Sequence, residues 1–303
     1  MTKRPDLLTK GDKIGIVATA RKISIEELSA SIKLFISWDL VPIIGKSIGA
    51  EENQFAGSDK ERAKDLQYFL DNSAIKAVFC ARGGYGTVRI IDMLDFSLFT
   101  ENPKWIIGYS DPTVLLSHIY FNYNIETIHG IMPINIETDD FFSNAVISLK
   151  KILFEGENKK VYKKYIMNRE GEAEGELIGG NLSVLYSLLG SNSFGDTKDK
   201  ILFIEDLDEY LYHIDRMMQA LDRAGKLKDI KGLIVGALTD MHDNAIPFGR
   251  SAEEIIMDNI KDYDFPVAFN IPIGHIKEKN QAYVIGRKTI LVVRKDKVII
   301  EQE

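Results

Sequence analysis

The sequence of 303 residues contains one cysteine, Cys80, and five histidines. A single thiol cannot form an internal disulfide and gives a cysteine-based metal site nothing to build on, so a reducing compartment is expected. The opening residues, MTKRPDLLTKGDK, are polar and broken by Pro5 and Gly11. No apolar signal core or membrane span opens the chain, and the cytosol is the expected location. Basic residues are in the minority: the net charge is -7 and no basic stripe appears, which argues against a nucleic-acid partner because nothing would neutralise a phosphate backbone. There is no internal repeat and no low-complexity tract.

What is present is the composition of a soluble enzyme or binding protein, 45% hydrophobic and 27% charged. The length suggests about two domains, each large enough to bury a core without staples. Apolar runs at Lys13–Ala18, Val41–Ile44, Ile75–Ala81, Trp105–Gly108 and Ile125–Ile128 read as strands. Between them lie helical periodicities at Ile25–Trp38, from the capping box Ser58-Asp59-Lys60-Glu61 to Asn72, at Thr87–Leu94 and at Thr113–Asn122. Alternation of this kind predicts a parallel, doubly wound sheet with its site at the carboxyl ends of the strands. The rhythm changes near residue 150. Residues 1–150 are therefore expected to form one domain, 151–169 a connection and 170–303 a smaller mixed α/β domain, with strands at Ile201–Ile204, Gly232–Leu238 and Val267–Asn270, helices at Tyr210–Gly225 and from Ser251 to Lys261, and antiparallel strands over Ala282–Ile300.

The stretch Trp105-Ile106-Ile107-Gly108-Tyr109-Ser110-Asp111-Pro112-Thr113 organises the first half. A serine on a sharp turn between strand and helix has the geometry of a nucleophile elbow, with the next backbone N–H facing an oxyanion. The alternative is that Ser110 or Asp111 only caps the helix. Such a serine needs a base, and the base a carboxylate. His118, His213 and His242 read as packing or surface residues; His129 and His275 both follow strands and stay open as bases. Glu205 ends an apolar strand, where a charge is costly unless paired or functional, although an acid before a helix also fits. The loop Arg82-Gly83-Gly84-Tyr85-Gly86 fails as a dinucleotide fingerprint, since Arg89 stands where a third glycine belongs. It can still offer N–H groups to an anion, or be a tight turn with no ligand.

Taken in order, Ala81-Arg82-Gly83-Gly84-Tyr85-Gly86, Gly108-Tyr109-Ser110-Asp111, Gly179-Gly180-Asn181-Leu182, Phe203-Ile204-Glu205-Asp206 with Ile214-Asp215-Arg216, and Pro272-Ile273-Gly274-His275 resemble the LD-carboxypeptidase family of serine peptidases. That family includes muramoyl-tetrapeptide carboxypeptidases and microcin C immunity peptidases. The resemblance spans nearly the whole chain. It implies a flavodoxin-like N-terminal domain, a smaller C-terminal α/β domain, a homodimer, and a site between the domains with Ser110 as nucleophile, His275 as base and Glu205 as orienting acid. It further implies hydrolysis between an L-centre and a terminal D-amino acid of a muropeptide tetrapeptide, in peptidoglycan recycling, with no metal or cofactor. Backbone N–H groups of Asp111 and of Gly83 or Gly84 would hold the oxyanion. Arg82 is the arginine nearest in sequence to read a terminal carboxylate, unless it is structural. Residues 276–280 depart from the family, which often carries a glycine-containing segment there. Two rival readings remain: a microcin-immunity-type peptidase cutting an acyl-nucleotide conjugate, and a non-catalytic module that grips an anion.

Overall fold

The computed structural model describes residues 2–156 and 158–303. Five parallel strands, β1 (Lys13–Val17), β2 (Val41–Ile44), β3 (Ile75–Cys80), β4 (Trp105–Gly108) and β5 (Thr127–His129), lie in the spatial order 2-1-3-4-5, the doubly wound order of flavodoxin-like sheets. β3 and β4 are apolar almost throughout because helices cover both faces of a parallel sheet. One of those helices, Asp59–Asp71, starts at a complete capping box: Ser58 Oγ accepts from Glu61 N–H while the Glu61 carboxylate accepts from Ser58 N–H.

The later strands are β6 (Asn158–Lys163), β7 (Gly171–Asn181), β8 (Ile201–Leu207), β9 (Gly232–Thr239), β10 (Val267–Ala268), β11 (Tyr283–Ile285), β12 (Lys288–Val293) and β13 (Lys297–Gln302). All but β11 form a second sheet in the order 10-9-8-7-12-13-6, parallel from β10 to β7 and antiparallel beyond. β11 leaves this sheet and pairs antiparallel with β5, closing the edge of the first one. The architecture is thus mixed α/β, with a flavodoxin-like parallel sheet and a mixed one.

Two sequence expectations change. Thr87–Leu94 is not an α-helix but two short 3₁₀ turns, Thr87–Arg89 and Ile91–Met93. Thr87, Val88, Ile90 and Ile91 are β-branched and crowd a helical backbone, so the segment stays tight and short. The stretch 151–169, read as a connection, holds β6 (Asn158–Lys163).

The two sheets meet at the helix Thr113–Tyr123, whose residues Val114, Leu115, Leu116, Ile119 and Tyr120 are all buried. Thr113 Oγ1 accepts the Asn181 N–H at the end of β7 (3.2 Å). A buried ion pair between Arg287 and Glu126 (2.7 Å) ties the halves together again. The helix launched by the Ser110 turn is therefore fixed against the strand neighbouring β8, which carries Glu205. Among the described residues no helix is long and apolar enough to cross a membrane.

Candidate active site

Ser110 follows β4 with φ +65°, in the left-handed region that L-residues other than asparagine and aspartate rarely visit. Neither it nor Asp111 caps the helix through a side chain; the N-cap position falls to Pro112, without a side-chain bond. The backbone of Ser110 closes the turn, its C=O accepting the Thr113 N–H (2.8 Å). Its Oγ has no hydrogen bond among the described residues. Asp111 turns inward instead. Its buried carboxylate accepts from Gly86 N–H (3.1 Å), Thr87 N–H (2.9 Å) and Thr87 Oγ1 (2.5 Å), fastening the glycine loop beside the serine. Burial raises the Asp111 pKa, and those three hydrogen bonds oppose the rise.

The glycine loop lies close beside Ser110. A Cβ on Gly83 would stand 3.1 Å from Ser110 Cβ and 3.2 Å from its Oγ. The N–H groups of Gly83, Gly84 and Asp111 have no acceptor among the described residues. They are free donors beside a free hydroxyl.

His275 arrives from the other sheet. Its Nδ1 lies 2.7 Å from Glu205 Oε2, and Glu205 is completely buried near the end of β8, its Oε1 without a partner among the described residues. Gly274 makes the approach possible: φ is +104°, and any side chain there would overlap the Glu205 carboxylate. Asn280 Oδ1 accepts the Gly274 N–H (2.8 Å) and holds the turn. Burial works to lower the His275 pKa, but the hydrogen bond and charge of Glu205, with the charge of Asp206, leave it raised above the ordinary histidine value. Asp206 is itself pushed up to about 7 by burial and by the adjacent Glu205, while Asn181 Nδ2 and the Ser183 N–H bond to it.

Ser110 and His275 line one cavity of about 550 Å³, with Gly83, Asn181 and Asp206 in its walls. His129 does not line it. That residue is fully buried against Phe203 and Tyr109, both ring nitrogens lack partners among the described residues, and burial lowers its pKa to about 4. Replacing His129 with leucine removes two unsatisfied polar atoms from an apolar site. The expected outcome is unfolding stability equal to or above that of the parent, with hydrolysis retained within about tenfold, checked by urea titration and kinetics. The remaining histidines bond to Ser193, Glu209 and Asp208 through His118, His213 and His242 respectively.

Arg82, at the edge of the cavity, donates to the Lys22 C=O (3.3 Å) and lies 3.7 Å from Glu27. A second arginine there, Arg21, was not singled out from sequence, and its guanidinium has no ion pair or hydrogen bond among the described residues. A signal existed: Arg21 follows β1 just as Arg82 follows β3, and loops after parallel strands reach the same edge.

Two family models match the chain: LD-carboxypeptidase N-terminal domain over residues 14–130 and LD-carboxypeptidase C-terminal domain over residues 174–291. The chain belongs to the LD-carboxypeptidase family. A relative in Bacillus subtilis (strain 168), a probable murein peptide carboxypeptidase, is 36% identical over 98% of this chain and 94% of its own length. The muramoyltetrapeptide carboxypeptidase of Oxalobacter formigenes has the same fold, with a TM-score of 0.86 at 24% identity, covering 96% of this chain and 98% of that one. The microcin C7 self-immunity protein also shares it, with a TM-score of 0.85 at 21% identity over 99% and 98%. Peptidase activity comes with membership of the LD-carboxypeptidase family, and the fold agrees with that of its solved structures.

Proposed function

We propose that this LD-carboxypeptidase is a serine peptidase that releases the terminal D-alanine from muropeptide tetrapeptides by cutting the bond to an L-configured diamino-acid centre. The observation that carries the reading is Ser110, held at φ +65° on a cavity that His275, paired with buried Glu205, also lines. With Nδ1–H donated to Glu205, the His275 Nε2 is the acceptor that takes the Ser110 proton as Oγ attacks the carbonyl carbon. The N–H groups of Asp111 and of Gly83 or Gly84 hold the oxyanion. Collapse of the tetrahedral species breaks the C–N bond, His275 returns the proton to the leaving amine, and water then hydrolyses the acyl-serine by the same base. Cleavage next to the diamino acid is favoured over the acyl-nucleotide alternative because the relative at 36% identity is named for murein peptides, while the microcin protein at 21% supports the fold alone. A cytoplasmic homodimer acting in peptidoglycan recycling is the setting the family resemblance implies, and sedimentation with cell fractionation tests it.

Incubation with a muropeptide tetrapeptide is expected to yield one free D-alanine and the tripeptide by mass spectrometry, with an aminoacyl sulfamoyl adenosine left intact. The reverse pattern would favour the microcin-type reading. Inertness toward both, with no labelling of Ser110 by a fluorophosphonate, would favour a non-catalytic module.

A further inference from the structure

A carboxypeptidase must tell the end of a chain from its middle, and the difference is one carboxylate. That group lies three covalent bonds from the scissile carbonyl carbon, about 4 Å away. Its receptor must therefore stand within one side chain's reach of the nucleophile. Two arginines border the cavity. The Arg82 guanidinium already has the Lys22 C=O at 3.3 Å and Glu27 at 3.7 Å, and it also borders a neighbouring hollow with those residues. Arg21 has no such partners among the described residues.

The path of the Arg21 side chain is specific. It crosses Gly84 so closely that a Cβ there would overlap Arg21 Cγ and Cδ, and Gly84 has φ +110°. The next residue back, Gly83, is the one at which an added Cβ would stand 3.2 Å from Ser110 Oγ. The arginine stem thus runs over the same loop that flanks Ser110, and glycine at 84 is what lets it lie there. The cavity is also lined by Asp206, Asp208 and Glu209, whose carboxyl groups offer an incoming carboxylate acceptors and no cation, so the arginines are the cationic side chains of its lining.

We propose that Arg21 is the specificity-determining residue that binds the free α-carboxylate of the leaving terminal residue, so that the cleft acts on chain ends. This rests on Ser110 being the nucleophile. A guanidinium suits the role because its planar fork matches a carboxylate with two parallel hydrogen bonds, which an ammonium cannot do.

The test compares a tetrapeptide ending in a free carboxylate with its C-terminal carboxamide, for the parent, Arg21→Gln, Arg21→Lys and Arg82→Gln. Labelling of Ser110 by a neutral fluorophosphonate is followed in parallel. The parent is expected to prefer the acid, and Arg21→Gln to lower kcat/KM on the acid by about 30- to 100-fold, mainly through KM, with little change on the amide. Arg21→Lys recovers part of the preference, and Arg82→Gln keeps the acid-to-amide ratio. Labelling stays at the parent rate in Arg21→Gln. Collapse of the ratio in Arg82→Gln but not in Arg21→Gln would overturn the assignment, as would an equal loss on both substrates in Arg21→Gln. Failure of the parent itself to label or hydrolyse would remove the serine mechanism and the anchor with it.

Discussion

Replacing Ser110 with alanine is expected to lower turnover of a muropeptide tetrapeptide by a factor on the order of 10⁴ or more, with the fold preserved. The hydroxyl makes no hydrogen bond among the described residues, so its removal leaves no buried partner unsatisfied. Stability offers a second, independent measurement at the same position. Any L-residue in the left-handed region pays a steric cost between Cβ and the backbone that glycine avoids, and Ser110 sits there at φ +65°. Alanine keeps that cost. Glycine relieves it, so Ser110→Gly is expected to be more stable than Ser110→Ala by about 1 kcal/mol after the extra entropy of the unfolded glycine chain is counted. Both variants should be equally inactive. Urea unfolding of the pair, alongside hydrolysis assays, checks both halves. Turnover retained within about tenfold of the parent in Ser110→Ala would exclude the serine as nucleophile, and a less stable glycine variant would mean that the turn carries no strain. Strain held at one residue of an otherwise ordinary strand-to-helix connection is the mark of a backbone shaped for presentation of a side chain.

The first sheet was legible because its signals are local. β1, β3 and β4 are short apolar runs ended by small or polar residues, and β4 is followed within a few positions by its helix. The first half of β7 was not, because Gly171-Glu172-Ala173-Glu174-Gly175-Glu176 gains its strand character from β12, with Gly175 opposite Thr289 across more than a hundred residues of chain. β11 lies in the stretch read as antiparallel strands, but its partner was not legible: three apolar residues give no hint that they cross back to β5, and only the register between Tyr283 and His129 reveals it. In the site, Ser110 stood out through its flanking Gly108 and Pro112, and Glu205 through a charge at the end of an apolar strand. The two histidines could not be separated by spacing, since each follows a strand. Burial separates them. His129 is wholly enclosed, with Phe203 against its ring, while the His275 side chain keeps 14% of its exposure and holds one nitrogen on Glu205. The arginines present the same problem. The course of the Arg21 side chain across Gly84, and the partners that Arg82 already has, are matters of tertiary packing, and they distinguish it from the arginine inside the glycine motif.

Glu205→Gln is expected to reduce kcat by about 10³- to 10⁴-fold while leaving stability equal or higher. The amide has nearly the volume of the carboxylate, so packing around it persists. What changes is the charge that favours an imidazolium and the acceptor that fixes Nδ1–H. A glutamine amide can present its NH₂ to Nδ1 and turn the accepting nitrogen away from Ser110. The stability sign follows from burial: Glu205 is fully enclosed and its Oε1 has no partner, so neutralising it removes a desolvation cost. The pH profile discriminates further. A base must be neutral to accept a proton, and the His275 pKa is raised, with Glu205 as the source of the upward shift against burial. The acidic limb of kcat/KM is therefore expected above the ordinary histidine value in the parent and at lower pH in Glu205→Gln. A carboxylate serving only the fold gives the opposite set: lower stability, retained turnover and an unmoved limb. Gly274→Ala is a companion variant that keeps the charge but forces the carboxylate aside, because a methyl group there overlaps it. Its turnover should fall as well, now with a loss of stability, separating the need for the charge from the need for its position.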